Sequence, residues 1–257
     1  MRIAVAAKWA PDPKDASVAP DGSVDWSRAR PAVSDYDAVA FVVGRLLADA
    51  LGAELVGVSV GAADLGTPFA RKALLARGLD RLVIVADDRL AGADALTTGR
   101  ALAALVRHVG AVELVLAGEA SVDEGAQLVP SVLAADLGWP VLSGVGSVSG
   151  RPGALLVERR TDAARETVRC GRPVVLSLAS DAATVGVPGM KDVLAAGRKP
   201  SEAVELDALG VRLSAPQMVG RARPAERPRR RVMIDGSDGD AAASALVSAL
   251  RGAGVLS

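Results

Sequence analysis

The chain has 257 residues, enough for one large α/β domain and an appendage. Half of its residues are hydrophobic but only 2% are aromatic, so its core must be built from Ala, Val and Leu, and thirty basic residues cancel thirty acidic ones, which removes the electrostatic footprint of a nucleic-acid or anionic-membrane binder. A single cysteine, Cys170, excludes an intrachain disulfide framework, no Cys/His cluster offers a metal site, and no run approaches the roughly 18 apolar residues of a membrane span, which together predict a protein of the cytoplasm that is not embedded in a membrane.

Strand-like and helix-like runs alternate through the first 145 residues. Ile3 to Ala7 reads as the first strand. Ser34 and Asp35 introduce a helix with Val39, Val42, Val43, Leu46, Leu47, Ala50 and Leu51 at three-four spacing, ended by Gly52. Leu55 to Val60 is a second strand, Asp64 to Arg77 a helix stopped by Gly78, and Leu82 to Val85 a third strand. Asp94 to Val109 is a helix with Leu102, Leu105, Val106 and Val109 on its buried face; Leu114 to Ala117 is a fourth strand, and Val129, Val132, Leu133 and Leu137 mark the next helix. This alternation predicts an α/β fold with a Rossmann-like parallel sheet, flanking helices, and ligands beyond the carboxyl ends of the strands.

After Gly144 the rhythm changes. Ala154 to Thr161 and Thr167 to Cys170 read as an antiparallel hairpin, and Pro173 to Leu178 as a further strand. The division expected is an α/β domain over residues 1–180, ending in the hairpin, and an extended C-terminal arm over 181–257. The arm holds a Pro/Arg-rich linker from Arg221 to Arg231 and an amphipathic helix from Ala241 to Gly252 with Ala245, Leu246, Ala249 and Leu250 on one face. An arm without a core of its own needs another surface to lie on, and a second subunit would supply it.

The stretch from Leu114 to Pro140 carries the chemistry. An apolar strand enters a polar loop around Gly118, Ser121, Asp123 and Gly125, and the loop opens onto a helix near Gln127. The first N–H groups of such a helix can seat an anion without a Lys or Arg; a plain strand-to-helix connection is the other reading. Catalytic machinery is sparse. His108, the only histidine, falls late in a helix and reads as a surface residue, Cys170 reads as inert packing, and no P-loop or nucleophile elbow occurs.

Seven segments in order resemble the β subunit of the electron-transfer flavoprotein family. They are IAVAAKWAPDP, SDYDAVAF, ARKALLARGLDRLVIVAD, GADALTTGRALA, AGEASVDEGAQLVPSVLAADLGWP, VERRTDAARETVRCGRPVVLSLAS and MKDVLAAGRKPSEAVELDALGV. The resemblance implies an adenine-nucleotide α-hydrolase-like fold and an electron carrier without a substrate reaction of its own. It implies a heterodimer in which an α subunit holds most of an FAD, the β subunit buries a structural AMP, and electrons pass from flavin dehydrogenases to an acceptor. Carried over by position, Ala6 would meet the adenine, Ser34, Asp35, Tyr36, Asp37 and Val60 would line the pocket, and Gly118 through Leu128, with Ser121, Asp123, Gly125, Ala126 and Gln127, would wrap the ribose and phosphate. Tyr36 would either approach the flavin or simply anchor a helix start. Met190 stands where the family places a buried leucine that anchors dehydrogenases, with Val187 and Val193 beside it; an exposed loop methionine is the alternative.

Two departures from the family pattern matter. The phosphate turn reads Gln127-Leu128-Val129-Pro130 where a glycine is usual, after a loop that is one residue shorter, and Thr184 to Pro188 replaces a Pro-Arg-Tyr-Pro run. The β site could therefore hold AMP, FAD or nothing. A universal-stress-like nucleotide module is the competing reading, although such a sensor needs only the first 145 residues.

Overall fold

The computed structural model describes residues 1–151, 154–171, 173–214, 229 and 231–256. Most of the Arg221 to Arg231 linker lies outside them. The described residues form two compact units, Met1–Gln217 and Met218–Ser257.

The first unit is built on a mixed nine-stranded sheet. β1 (Arg2–Ala6) leads to a short ribbon of β2 (Trp9–Pro11) and β5 (Pro31–Val33), with a smaller ribbon of β3 (Ser17–Val18) and β4 (Val24–Asp25) between them. The chain then runs through α1 (Ala38–Leu51), β6 (Glu54–Gly61), α2 (Pro68–Leu75), β7 (Arg81–Ala86), α3 (Ala95–Val109), β8 (Val112–Gly118) and α4 (Val129–Leu137). β9 (Val141–Arg151), β10 (Ala154–Arg160) and β11 (Arg165–Cys170) form an antiparallel flap, β12 (Val174–Leu178) returns to the parallel region, and α5 (Met190–Ala196) precedes β13 (Ser201–Ala203).

The strand order is β11-β10-β9-β12-β8-β1-β6-β7-β13. From β1 the chain steps outward to β6 and β7, and α3 then carries it back across to β8 on the other side of β1. The reversal leaves a gap between loops at the carboxyl ends of β1 and β8, the place where ligands enter open α/β sheets.

Alternation along β1 divides the core. Ile3 and Val5 face the layer containing Phe41, Leu47 and Leu74, while Ala4 and Ala6 face the layer containing Leu102, Leu105 and Leu133. Small residues set how closely α1 approaches the sheet. A β-carbon at Gly44 would stand 3.0 Å from both Leu55 and Val5. The buried stripe of α1 therefore includes Ala40, Gly44 and Ala48, whereas Leu46, counted in the buried face from its spacing, points to solvent.

Several boundaries differ from the sequence reading for local reasons. The helix expected from Asp64 becomes a 3-10 turn over Ala63–Gly66 and then α2, because Pro68 occupies the first turn and the Thr67 hydroxyl accepts the Ala70 N–H. The helix expected near Gln127 begins at Val129. β9 has the sequence VLSGVGSVSGR, whose glycines and serines hide its pairing with β10 and β12. β13 adds to the sheet edge beside β7, and α5 packs against α2.

In the second unit, α6 (Gly239–Gly252) is capped by Asp238, whose carboxylate accepts the N–H groups of Asp240 and Ala241. None of its residues is buried. No helix among the described residues is long and apolar enough to cross a membrane.

Candidate functional site

At the β1/β8 switch point lies a crevice that is open to solvent at its mouth. The strand ends provide its floor through Ala6, Val60, Ala117 and Gly118, α3 contributes Ala95, Thr98 and Leu102, and the loop after β8 with the start of α4 closes the remaining side. The two helices meet closely because α3 has Gly99 where a β-carbon would come within 2.7 Å of Val132.

Asp37 sits at the base of this crevice. Its side chain is buried, with the residue only 6% exposed, and Oδ2 accepts the Lys8 backbone N–H at 2.7 Å while Oδ1 accepts the Gly118 N–H at 3.2 Å. One carboxylate thus joins the end of β1 to the end of β8. Burial pushes its pKa up from 3.8 to about 7, against the two backbone N–H groups and the positive charges of Lys8 and Arg77, all of which pull it down. Gly118 permits the approach, since a β-carbon there would run into the Tyr36 carbonyl and stand 2.7 Å from Asp37 Oδ1.

A second tie runs over the top. The Lys8 ammonium pairs with Asp123 at 2.7 Å, fastening the loop after β8 to the β1 end. Burial raises the Asp123 pKa, but hydrogen bonds from Lys8 and Ser121 outweigh it and hold the carboxyl below its ordinary range. Within the loop, Gly125 and Gln127 both adopt the left-handed region, at φ +60° and +56°. Left-handed backbone is costly at Gln127, and such positions recur where a loop turns its amides toward a ligand. Val129, where a glycine was expected from the resemblance, is the first residue of α4 and needs no unusual backbone.

Of the residues singled out from sequence, the structure gathers Ala6, Asp37, Val60, Gly118, Ser121, Ala126 and Gln127 around the crevice. The others stand behind it. Tyr36 is half-buried with its carbonyl over Gly118, Ser34 is buried with its hydroxyl unpaired among the described residues, and Asp35 is exposed and paired with Lys14. Asp123 holds Lys8, and Gly125 and Leu128 are exposed in the loop. Lys8 and the α3 wall were missed. The Asp94 cap, which accepts the Thr97 N–H at 2.7 Å, marks the start of α3 in the sequence, but only the strand order puts it beside β8.

Val187, just before α5, and Met190, its first residue, are 95% and 76% exposed, while Val193 is half-buried against the core. Among the described residues there is no cluster of His, Cys, Asp and Glu fit to hold a metal.

A family model described as the electron transfer flavoprotein domain matches residues 24–209, well over half of the chain. The chain belongs to the electron transfer flavoprotein family. Proteins of that family are electron carriers associated with flavin. The match extends beyond the first 145 residues, through the antiparallel flap, α5 and β13, which is more than a minimal nucleotide sensor would require.

Proposed function

We propose that this chain is the β subunit of a heterodimeric electron transfer flavoprotein, with an AMP held in the crevice and an FAD shared with an α subunit. The observation that carries the reading is the crevice at the switch point of a chain of this family. Its apolar floor of Ala6, Val60, Leu102 and Ala117 suits the faces of a purine. The amides around Gly125 to Leu128 and the start of α4 suit a phosphate, since helix N-termini and left-handed turns present N–H groups to anions.

AMP, less than half the size of an FAD, is the group that we place in this crevice. The flavin is therefore assigned to the surface shared with the α subunit, where it supplies the electron-accepting ring. This chain's part is to present Tyr36 toward that surface, to hold the nucleotide through backbone groups, and to offer a docking face. Val187, Met190 and Val193 form that face, with Met190 as the apolar anchor for flavin dehydrogenases. Residues 181–257 act as the recognition loop and the arm that embraces the partner, since α6 carries Leu246 at 50% exposure with no residue of the helix buried. The assembly works in the cytoplasm.

Co-expression tests this. Purified alone the chain should be colourless, and with its α partner it should give a yellow 1:1 complex. A monomer that binds FAD stoichiometrically by itself would overturn the proposal.

A further inference from the structure

The Asp37 carboxylate does more than line the crevice. Just past Ala6 and Ala117, the last pair of the β1–β8 ladder, two segments far apart in sequence meet on its two oxygens, one on each. Beyond that ladder the Lys8 to Asp123 pair is partly exposed, and Gly118 provides room rather than attraction.

We propose that Asp37 is a positioning residue, whose ionised carboxylate holds the β1 and β8 ends at the spacing that the crevice's ligand requires. The proposal rests on the reading of the crevice as an adenine-nucleotide site. A carboxylate accepts both N–H groups. Once protonated, one of its oxygens carries a hydrogen and accepts from its N–H group only weakly, so one of the two contacts loses most of its strength. The proton has a defined destination, since Asp37 titrates near pH 7 in this setting.

The charged groups around it come from several elements. Lys8 from the β1 end and Arg77 from beyond α2 favour the ionised form, and Arg77 lies 5.8 Å over the Phe41 ring with its own pKa lowered by burial. Asp35, on the same turn, is drawn off by Lys14, and Asp123 engages the Lys8 ammonium. The site is thus ionised at the alkaline side of neutrality, and acid opens it.

Two consequences have opposite signs, which separates positioning from a merely structural role. A raised carboxyl pKa means that the folded chain gains stability as pH falls from about 7 towards 4. Ligand affinity should instead fall as pH drops through about 7.

The test is calorimetric titration of the nucleotide-free full-length chain with adenosine, which has no phosphate to titrate, and with AMP. Between about pH 8 and pH 6 the adenosine affinity should drop about tenfold, the change in the ionised fraction of a group titrating near 7. Asp37→Asn should bind both probes more weakly with the adenosine dependence gone, and its Lys8 and Gly118 amides should exchange with deuterium faster than in the wild type. If the variant does not fold, the wild-type adenosine profile decides alone. A flat wild-type profile, or a variant that matches wild type in affinity and amide protection, would overturn the positioning role while leaving the nucleotide site standing. Failure of wild type to bind either probe at any pH would overturn the site and the proposal with it.

Discussion

Gly118 lies against Asp37 with its amide nitrogen 3.2 Å from the carboxylate, in a space that a single methyl group would fill. A β-carbon at residue 118 would strike the Tyr36 backbone as well as the carboxylate, and backbone cannot swing aside as a flexible side chain can. We expect Gly118→Ala to destabilise the fold by about 1–3 kcal/mol, the usual range for overpacking, and to lower nucleotide affinity at the same time. Thermal melts with and without AMP measure both effects. Wild-type stability in this variant would mean that the β8 end and the Tyr36 turn are not packed as described.

The loop from Ser121 to Leu128 is held by conformation more than by charge. Gly125→Val places a β-branched residue in left-handed backbone, at a cost of at least about 1–2 kcal/mol, and should weaken AMP binding strongly. Lys8→Met removes a partly exposed ion pair worth about 0.2–1 kcal/mol and should change AMP affinity only slightly. Titration calorimetry ranks the two variants. A larger loss from Lys8→Met would move the phosphate contact from the loop amides to the ammonium.

Folding stability should carry the mark of Asp37 as well. Its folded pKa of about 7 lies above the ordinary 3.8, so between those values the folded chain binds the proton more tightly than the unfolded chain and stability declines as pH rises. Asp37→Asn cannot titrate. Denaturant midpoints measured at intervals from about pH 4 to pH 7 should therefore slope less steeply in the variant than in the wild type. Parallel slopes would show that Asp37 does not titrate in this window.

Met190 should matter for docking and for nothing else. Truncating an exposed apolar anchor at the centre of a small interface costs on the order of 2 kcal/mol in binding, so Met190→Ala should slow reduction by a dehydrogenase below saturation. The flavin spectrum and reduction by dithionite should be unchanged. Equal transfer rates would make Met190 an exposed residue without a role.

Much of this was legible in the chain. The βαβ alternation through Leu114 to Ala117 predicted the parallel sheet, because buried strands read as short Val/Leu runs between amphipathic helices. Ala6, Val60 and Gly118 followed from the rule that ligands gather at strand ends. β9 escaped notice because alternating Gly and Ser give no hydrophobic period. The buried face of α1 was misjudged at Leu46 because small residues such as Gly44 and Ala48, not the largest apolar ones, determine how the helix seats. The α3 wall and the double hydrogen bond at Asp37 depend on strand order and on contacts 29 and 81 residues apart, which periodicity does not encode.

In the proposed complex this chain contributes an AMP-filled crevice, and FAD is shared with an α subunit. The most direct measurement is chromatography of the nucleotides released when the purified yellow complex is denatured. The expected result is one FAD and one AMP for each pair of subunits. FAD released without AMP would contradict the assignment of the crevice between Ala6, Val60 and Gly118.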